Sequence, residues 1–178
     1  MARNPFRIPT IALTGLVLGS VVLMPGQAWA RGDGWQPLPT SPDSEIACPG
    51  GQVLAHVVMN KEYVRFSALP DGTILLMVTG QLKYRLTNES TGQSVVVVAS
   101  GPSVGQYLGE ALPNGDFLFQ AVGRNIGFLT PDQVAATGLP PILVTSGPIR
   151  ILITTDGQLV PIEIPHQQTD FCAVLGLT

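Results

Sequence analysis

The sequence predicts an all-β fold, a single antiparallel β-barrel with a β-sandwich as the alternative, built from about eight to ten short strands. Three observations predict it. Beyond residue 51 apolar and polar residues alternate with a period of two, as they do along half-buried strands. Turn residues break this alternation repeatedly, three of the breaks being Asp71-Gly72, Asn114-Gly115 and Asp156-Gly157, pairs that hairpins favour. The only two cysteines, Cys48 and Cys172, flank this patterned region, so that a bridge between them would join its ends.

The first thirty residues read as a leader. Arg3 and Arg7 precede an apolar run over residues 11–24, and Pro25 and Ala28-Trp29-Ala30 follow. A basic head, a short apolar middle and small residues before a cut define a secretory signal peptide, so cleavage is expected between Ala30 and Arg31. The run is short for a spanning helix, which needs about 20 apolar residues, and Gly15, Gly19 and Ser20 interrupt it. No cysteine follows it for lipid attachment and Arg3 and Arg7 are not adjacent, so neither a lipoprotein anchor nor a twin-arginine signal is expected. The organisation is therefore a signal peptide over 1–30, an extended lead-in over 31–47 and one all-β domain over 48–178, secreted and without a stable membrane anchor after cleavage.

Export decides how the cysteines read. In an oxidising compartment two thiols in one small chain are expected to pair, which makes Cys48–Cys172 a disulfide. The lead-in "GDGWQPLPTSPDSEIACP" holds four prolines and a single large apolar side chain, Trp35, expected to cover an apolar patch. "QVLAHVVMN" and "EYVRFSA" are the first two strands, the turn "LPDG" follows with Pro70 suited to its second position, and "TILLMVTG" is the third. In "QLKYRLT", Leu82, Tyr84 and Leu86 share one face and Lys83, Arg85 and Thr87 the other. The turn "NESTGQ" leads to "SVVVVAS", and the grammar then repeats through "VGQYLGEAL", "PNGD", "FLFQAVG", "RNIGFLT", "PILVTSG", "PIRILITT", "DG" and "QLVPIEI". Ile149, Ile151 and Ile153 share a face, with Arg150 and Leu152 opposite. Only "TPDQVAATG" reads as helix. Thr130 can cap it, Pro131 suits its first position, Gln133 completes a capping box and Gly138 can end it.

A meander has two unpaired edges that invite aggregation, and closing the sheet removes them. Bringing Cys48 beside Cys172 is what closure produces, and a sandwich with its end strands together does the same. "SVVVVAS" and "TILLMVT" are apolar on both faces, which predicts burial of both under the lead-in, a loop or another subunit.

Composition narrows function by exclusion. With Arg3 and Arg7 removed, seven of the nine Lys and Arg remain against twelve Asp and Glu, a formal charge of −5, so no nucleic-acid footprint is expected. Charged residues are 12% of the chain and hydrophobic residues 45%. His56, in mid-strand, and His166, in a polar segment, do not make a zinc spacing, and Asp170 and Glu163 are not required as further ligands; no metal or cofactor is expected. The Gly-x-Ser-x-Gly spacing occurs once, around Ser103 in "SGPSVG", where Ser100 and Ser103 are read as residues that suit a sharp loop and not as a nucleophile turn. "GRNIG" neither follows a phosphate-loop layout nor opens a helix. Glu62, Glu110 and Glu163 could supply paired carboxylates only if the fold brought them together. Asn88-Glu89-Ser90 is a formal glycosylation sequon. Arg65, Lys83, Arg85, Arg124 and Arg150 fall on strands, as a scattered solvated face or a weak anion site.

The set formed by Thr87 to Gly92, the Ser100-Gly101-Pro102 turn, Gly123 to Pro131 and a terminal Asp170-Phe171-Cys172 resembles a group of small secreted actinobacterial all-β proteins of unknown function. The resemblance spans the region from Cys48 to the end. It implies export and an all-β domain and carries no activity, so it transfers no catalytic residue. The expected function is that of a non-catalytic secreted β-domain binding a small ligand or an extracellular protein, alone or as an oligomer. The alternative is a secreted enzyme, a hydrolase or barrel-type isomerase or cyclase, with His56 or Glu62 at the barrel mouth.

Overall fold

The computed structural model describes residues 17–18, 34–68, 70, 74–100, 103–107 and 116–178. The expected cut between Ala30 and Arg31 lies outside them, as do the Asp71-Gly72 and Asn114-Gly115 turns, Gly101-Pro102 and Glu110.

Among the described residues thirteen strands and two short helices follow one another as β1 (Val17–Leu18), β2 (Gln36–Pro37), β3 (Ser44–Cys48), β4 (Gly51–Ala68), β5 (Ile74–Asn88), β6 (Ser94–Ser100), β7 (Ser103–Tyr107), β8 (Phe117–Ala121), β9 (Arg124–Phe128), α1 (Pro131–Thr137), β10 (Ile142–Ser146), β11 (Ile149–Ile153), β12 (Leu159–Glu163), β13 (Gln168–Asp170) and α2 (Phe171–Val174). All pairings are antiparallel. The main path runs β12-β11-β8-β7-β5-β6-β9-β10-β13, and β4 adds β3 and β2 along the other edge of β5. Neither β12 nor β13 pairs with β2 or β3, so the described strands form no hydrogen-bonded closed barrel.

The strands are longer and more bent than the alternation implied. The two segments expected before residue 69 are one 18-residue strand, β4, and the two expected between 74 and 88 are one 15-residue strand, β5. No turn separates either pair. β4 continues through a bulge between Val57 and Met59, which adds a residue and bends the strand while the pairing resumes. β5 continues through Gly80 at φ +131°, where a Cβ would lie 2.1 Å from the Lys61 carbonyl oxygen. Only glycine fits there. Beyond that bend β5 exchanges its partner, pairing β6 through residues 81–87 and β7 through residues 74–78. The bend continues across the sheet at Gly123 and Gly147, both at positive φ, where the Gly147 N–H donates to the Gly123 carbonyl at 2.9 Å.

Creasing divides the core into joined clusters. Leu82, Tyr84 and Leu86 of β5 lie on the buried face, as their alternation predicts, and meet Val53 and Ala55 of β4, Val97 of β6, Phe128 of β9 and Ile142 of β10. Tyr84 and Phe128 stack edge to face with centroids 5.1 Å apart, a geometry worth about 1 kcal/mol beyond burial. Below the crease Val64, Leu76 and Val78 pack with Leu38, and Phe117 joins them to Ile149, Ile151 and Ile153. Helix α1 matches its sequence signals in full. Thr130 caps it, the Gln133 N–H donates to Thr130 Oγ1, the Thr130 N–H donates to Gln133 Oε1, and Gly138 ends it in the left-handed region.

Burial on both faces occurs, though not where the apolar runs predict it. In β6 Val96 is 51% exposed, and in β5 Leu75 and Met77 are only half-buried. The doubly buried strand is β10. Its Ile142 and Val144 face the Leu82 cluster, and its Leu143 faces a second cluster with Leu129, Val134 and Leu139. β10 thus has the Leu82 cluster on one face and the cluster that includes Val134 of α1 on the other, whereas Val96 of β6 meets solvent.

The Cys48–Cys172 disulfide is present, with Cα atoms 5.7 Å apart at a sequence separation of 124. It ties the end of β3 to α2, whose N-terminus the Asp170 carboxylate caps by accepting from the Cys172 and Ala173 N–H groups. The Asn88 side chain holds the same corner from β5. Its Nδ2 donates to the Leu175 carbonyl at 3.0 Å, and its Oδ1 accepts from Ser90 N–H at 2.9 Å. Asn88 is 2% exposed, so the folded chain offers no acceptor at the formal sequon.

Candidate binding face

Among the residues whose burial is described, the largest exposed aromatic groups, Trp35 and Tyr63, lie on or beside the long arm formed by β2, β4 and β5. Register sets Pro37 opposite Tyr63, Tyr63 opposite Thr79 and Arg65 opposite Met77. Val64 and Val78, between them in sequence, are buried, so alternation turns Pro37, Tyr63, Arg65 and Met77 to the outer side. Trp35 immediately precedes β2 in the chain. Trp35 and Tyr63 are each 45% exposed. Arg65 lies half-buried among them, and its Nε has no hydrogen-bond partner among the described residues. Trp35 was expected to cover an apolar patch; the lead-in does pair with β4, and almost half the indole surface still meets solvent.

Higher on the same outer side, His56 Nδ1 lies 2.7 Å from Asp43 Oδ1, both side chains about half exposed at 48% and 52%. A carboxylate on Nδ1 orients an imidazole as in a hydrolytic triad, which also needs a nucleophile at the other nitrogen. The residue opposite His56 on β5 is Arg85, which cannot serve as one.

Glu62 lies on the inner side, opposite Gly80 at the crease. Its backbone is tied to the lead-in through the Leu38 N–H, which donates to the Glu62 carbonyl at 2.9 Å. Its Oε2 is buried without a hydrogen-bond partner among the described residues, and burial raises its carboxyl from the ordinary 4.5 to about 7. Desolvation disfavours the charged form, which is why the shift is upward.

The structure does not unite the remaining sequence candidates. His56 and Glu62 occupy opposite faces of β4, Glu163 is exposed on β12 opposite Arg150, and His166 is exposed beyond it. Ser100 pairs with Arg124 at the junction of β6 and β9. Lys83 and Arg85 share the outer side of β5, while Arg124 and Arg150 are exposed on other strands, so these cations make no single cluster. No group of three or more His, Cys, Asp or Glu side chains arranged to hold a metal occurs among the described residues. The placing of Tyr63 opposite the lead-in residue Pro37 escaped sequence reasoning because "QVLAHVVMN" and "EYVRFSA" read as separate strands and the lead-in as unpaired. No family model, curated protein or solved structure matches this chain.

Proposed function

We propose that this chain is an exported, non-catalytic β-domain that recognises an extracellular protein through the outer face of β2, β4 and β5. The observation that carries the reading is two half-exposed aromatic side chains, Trp35 immediately before β2 and Tyr63 on β4 opposite Pro37. Tryptophan, tyrosine, arginine and methionine are the residues enriched where proteins bind one another, and this face holds Trp35, Tyr63, Arg65 and Met77. Export is supported by the leader pattern and by a disulfide between the only two cysteines. No helix among the described residues is long and apolar enough to cross a membrane. The open path and the packing of β9 and β10 onto the main sheet favour a creased sandwich over the barrel.

The enzymatic alternative draws on the His56–Asp43 pair and on Glu62, which the two faces of β4 hold apart. The test installs a photo-crosslinking residue at position 63 in the secreting host and identifies the captured protein by mass. Trp35→Ala and Tyr63→Ala should each weaken the affinity of that protein by about thirtyfold, the scale of a hot-spot side chain. Equal affinity in both variants would remove this face from the reading.

A further inference from the structure

Two strands of the sheet part company at its centre. β6 and β9 are joined at Ser100 and Arg124 and at no further position among the described residues. Above that junction β6 stays with β5, while β9 turns with β10 to cover the core. Hydrogen-bond parity shows which backbone groups face the opening. The Asn88 N–H donates to the Gln93 carbonyl at 2.9 Å, so the odd-numbered residues along β6 bond β5, and Val96 and Val98 direct their N–H and C=O groups to the other edge. The Leu129 N–H donates to the Pro141 carbonyl at 2.8 Å, so the odd-numbered residues of β9 bond β10, and Ile126 and Phe128 present theirs on the edge away from it.

This edge is unusual in being buried. Ile126 is 2% and Phe128 6% exposed, and Gly127 between them is buried. Backbone donors and acceptors in such surroundings need partners, because water does not reach them freely. One partner is present. β1 pairs with β9 antiparallel, Val17 opposite Phe128 and Leu18 opposite Gly127.

We propose that the opening between β6 and β9 is a strand-acceptor cleft, and that its occupant is the apolar leader of the same chain, entering on β9 through Val17–Leu18. Strand addition of this kind draws affinity from main-chain hydrogen bonds and selectivity from the side chains around the slot. The slot is apolar, with Ile126 and Phe128 on one side and Val96 and Val98 on the other, and the run over residues 11–24 is apolar too. While the leader is attached it satisfies the β9 edge; its removal opens that edge. The cleft is independent of the Trp35–Tyr63 face, which lies on the outer side of other strands.

Native-state hydrogen exchange tests this on the full chain, oxidised and with the leader retained, against the double variant Val17→Pro/Leu18→Pro. Proline lacks the N–H and cannot belong to a ladder. In the parent the Phe128 amide should be protected, and in the variant it should exchange faster by about tenfold or more, the mark of a local opening. The Gly127 amide, directed at β10, should not change. A Phe128 amide that is unprotected in the parent, or equally protected in both chains, overturns the proposal. An equal loss at Gly127 and Phe128 also overturns it, because it would report melting of β9 and not the departure of one strand.

Discussion

Replacing Glu62 by glutamine should make the protein more stable at alkaline pH and leave it nearly unchanged in acid. The Glu62 carboxyl rises from 4.5 to about 7 on burial, so between those values the folded chain holds a proton that the unfolded chain has released. A group of this kind adds full stability below about 4.5, loses it as pH climbs to about 7, and is constant above. At about 1.4 kcal/mol per pH unit the whole span is about 3 kcal/mol, and water reaching the partly buried carboxyl trims it towards about 2 kcal/mol. Glutamine keeps the shape and cannot ionise. Urea denaturation of both chains from pH 4 to 8.5 gives the difference directly, with other titrating groups cancelling in the subtraction. The glutamine chain should gain about 2 kcal/mol relative to the parent between the ends of that range. Parallel stability curves would refute the reasoning, since they would mean that the carboxylate finds solvent or a partner at the crease.

Three further outcomes are expected. Removing the disulfide with Cys48→Ala/Cys172→Ala should cost about 5 kcal/mol on the chain-entropy model for a closed loop of this length, because the two positions have a sequence separation of 124; the denaturant midpoint of the double variant measures it. Asn88→Ala should destabilise by about 2 kcal/mol, since it removes the donor to Leu175 and the acceptor for Ser90 from a buried corner. Mass analysis after secretion from a glycosylating host should find the parent Asn88 unmodified, as its amide is already engaged.

The residues of this chain determined its local structure wherever a short-range rule applies. Period-two alternation placed Leu82, Tyr84 and Leu86 on the buried side and did the same for Ile149, Ile151 and Ile153, because strand side chains alternate whatever lies opposite. The capping box of α1 was legible for the same reason, as Thr130 and Gln133 satisfy each other's backbone within four residues. Composition likewise limited the pairing of Cys48 to Cys172, since no third cysteine exists.

What the alternation could not determine is how far a strand runs and what its outer face meets. β4 and β5 read as four strands, divided at Lys61 and at Gly80-Gln81, while ladder pairing continues through those positions, Lys61 opposite Gln81 and Glu62 opposite Gly80. Four consecutive valines suggested a doubly buried β6, but burial depends on what packs outside, and only the tertiary arrangement sets β10 between the sheet and α1. The candidate face depends on the same long-range register, since Pro37 and Tyr63 are far apart in sequence and come opposite each other when β2 pairs with the far half of β4. Local patterns fix which side of a strand is apolar; the creases and pairings between distant segments decide which of those sides water can reach.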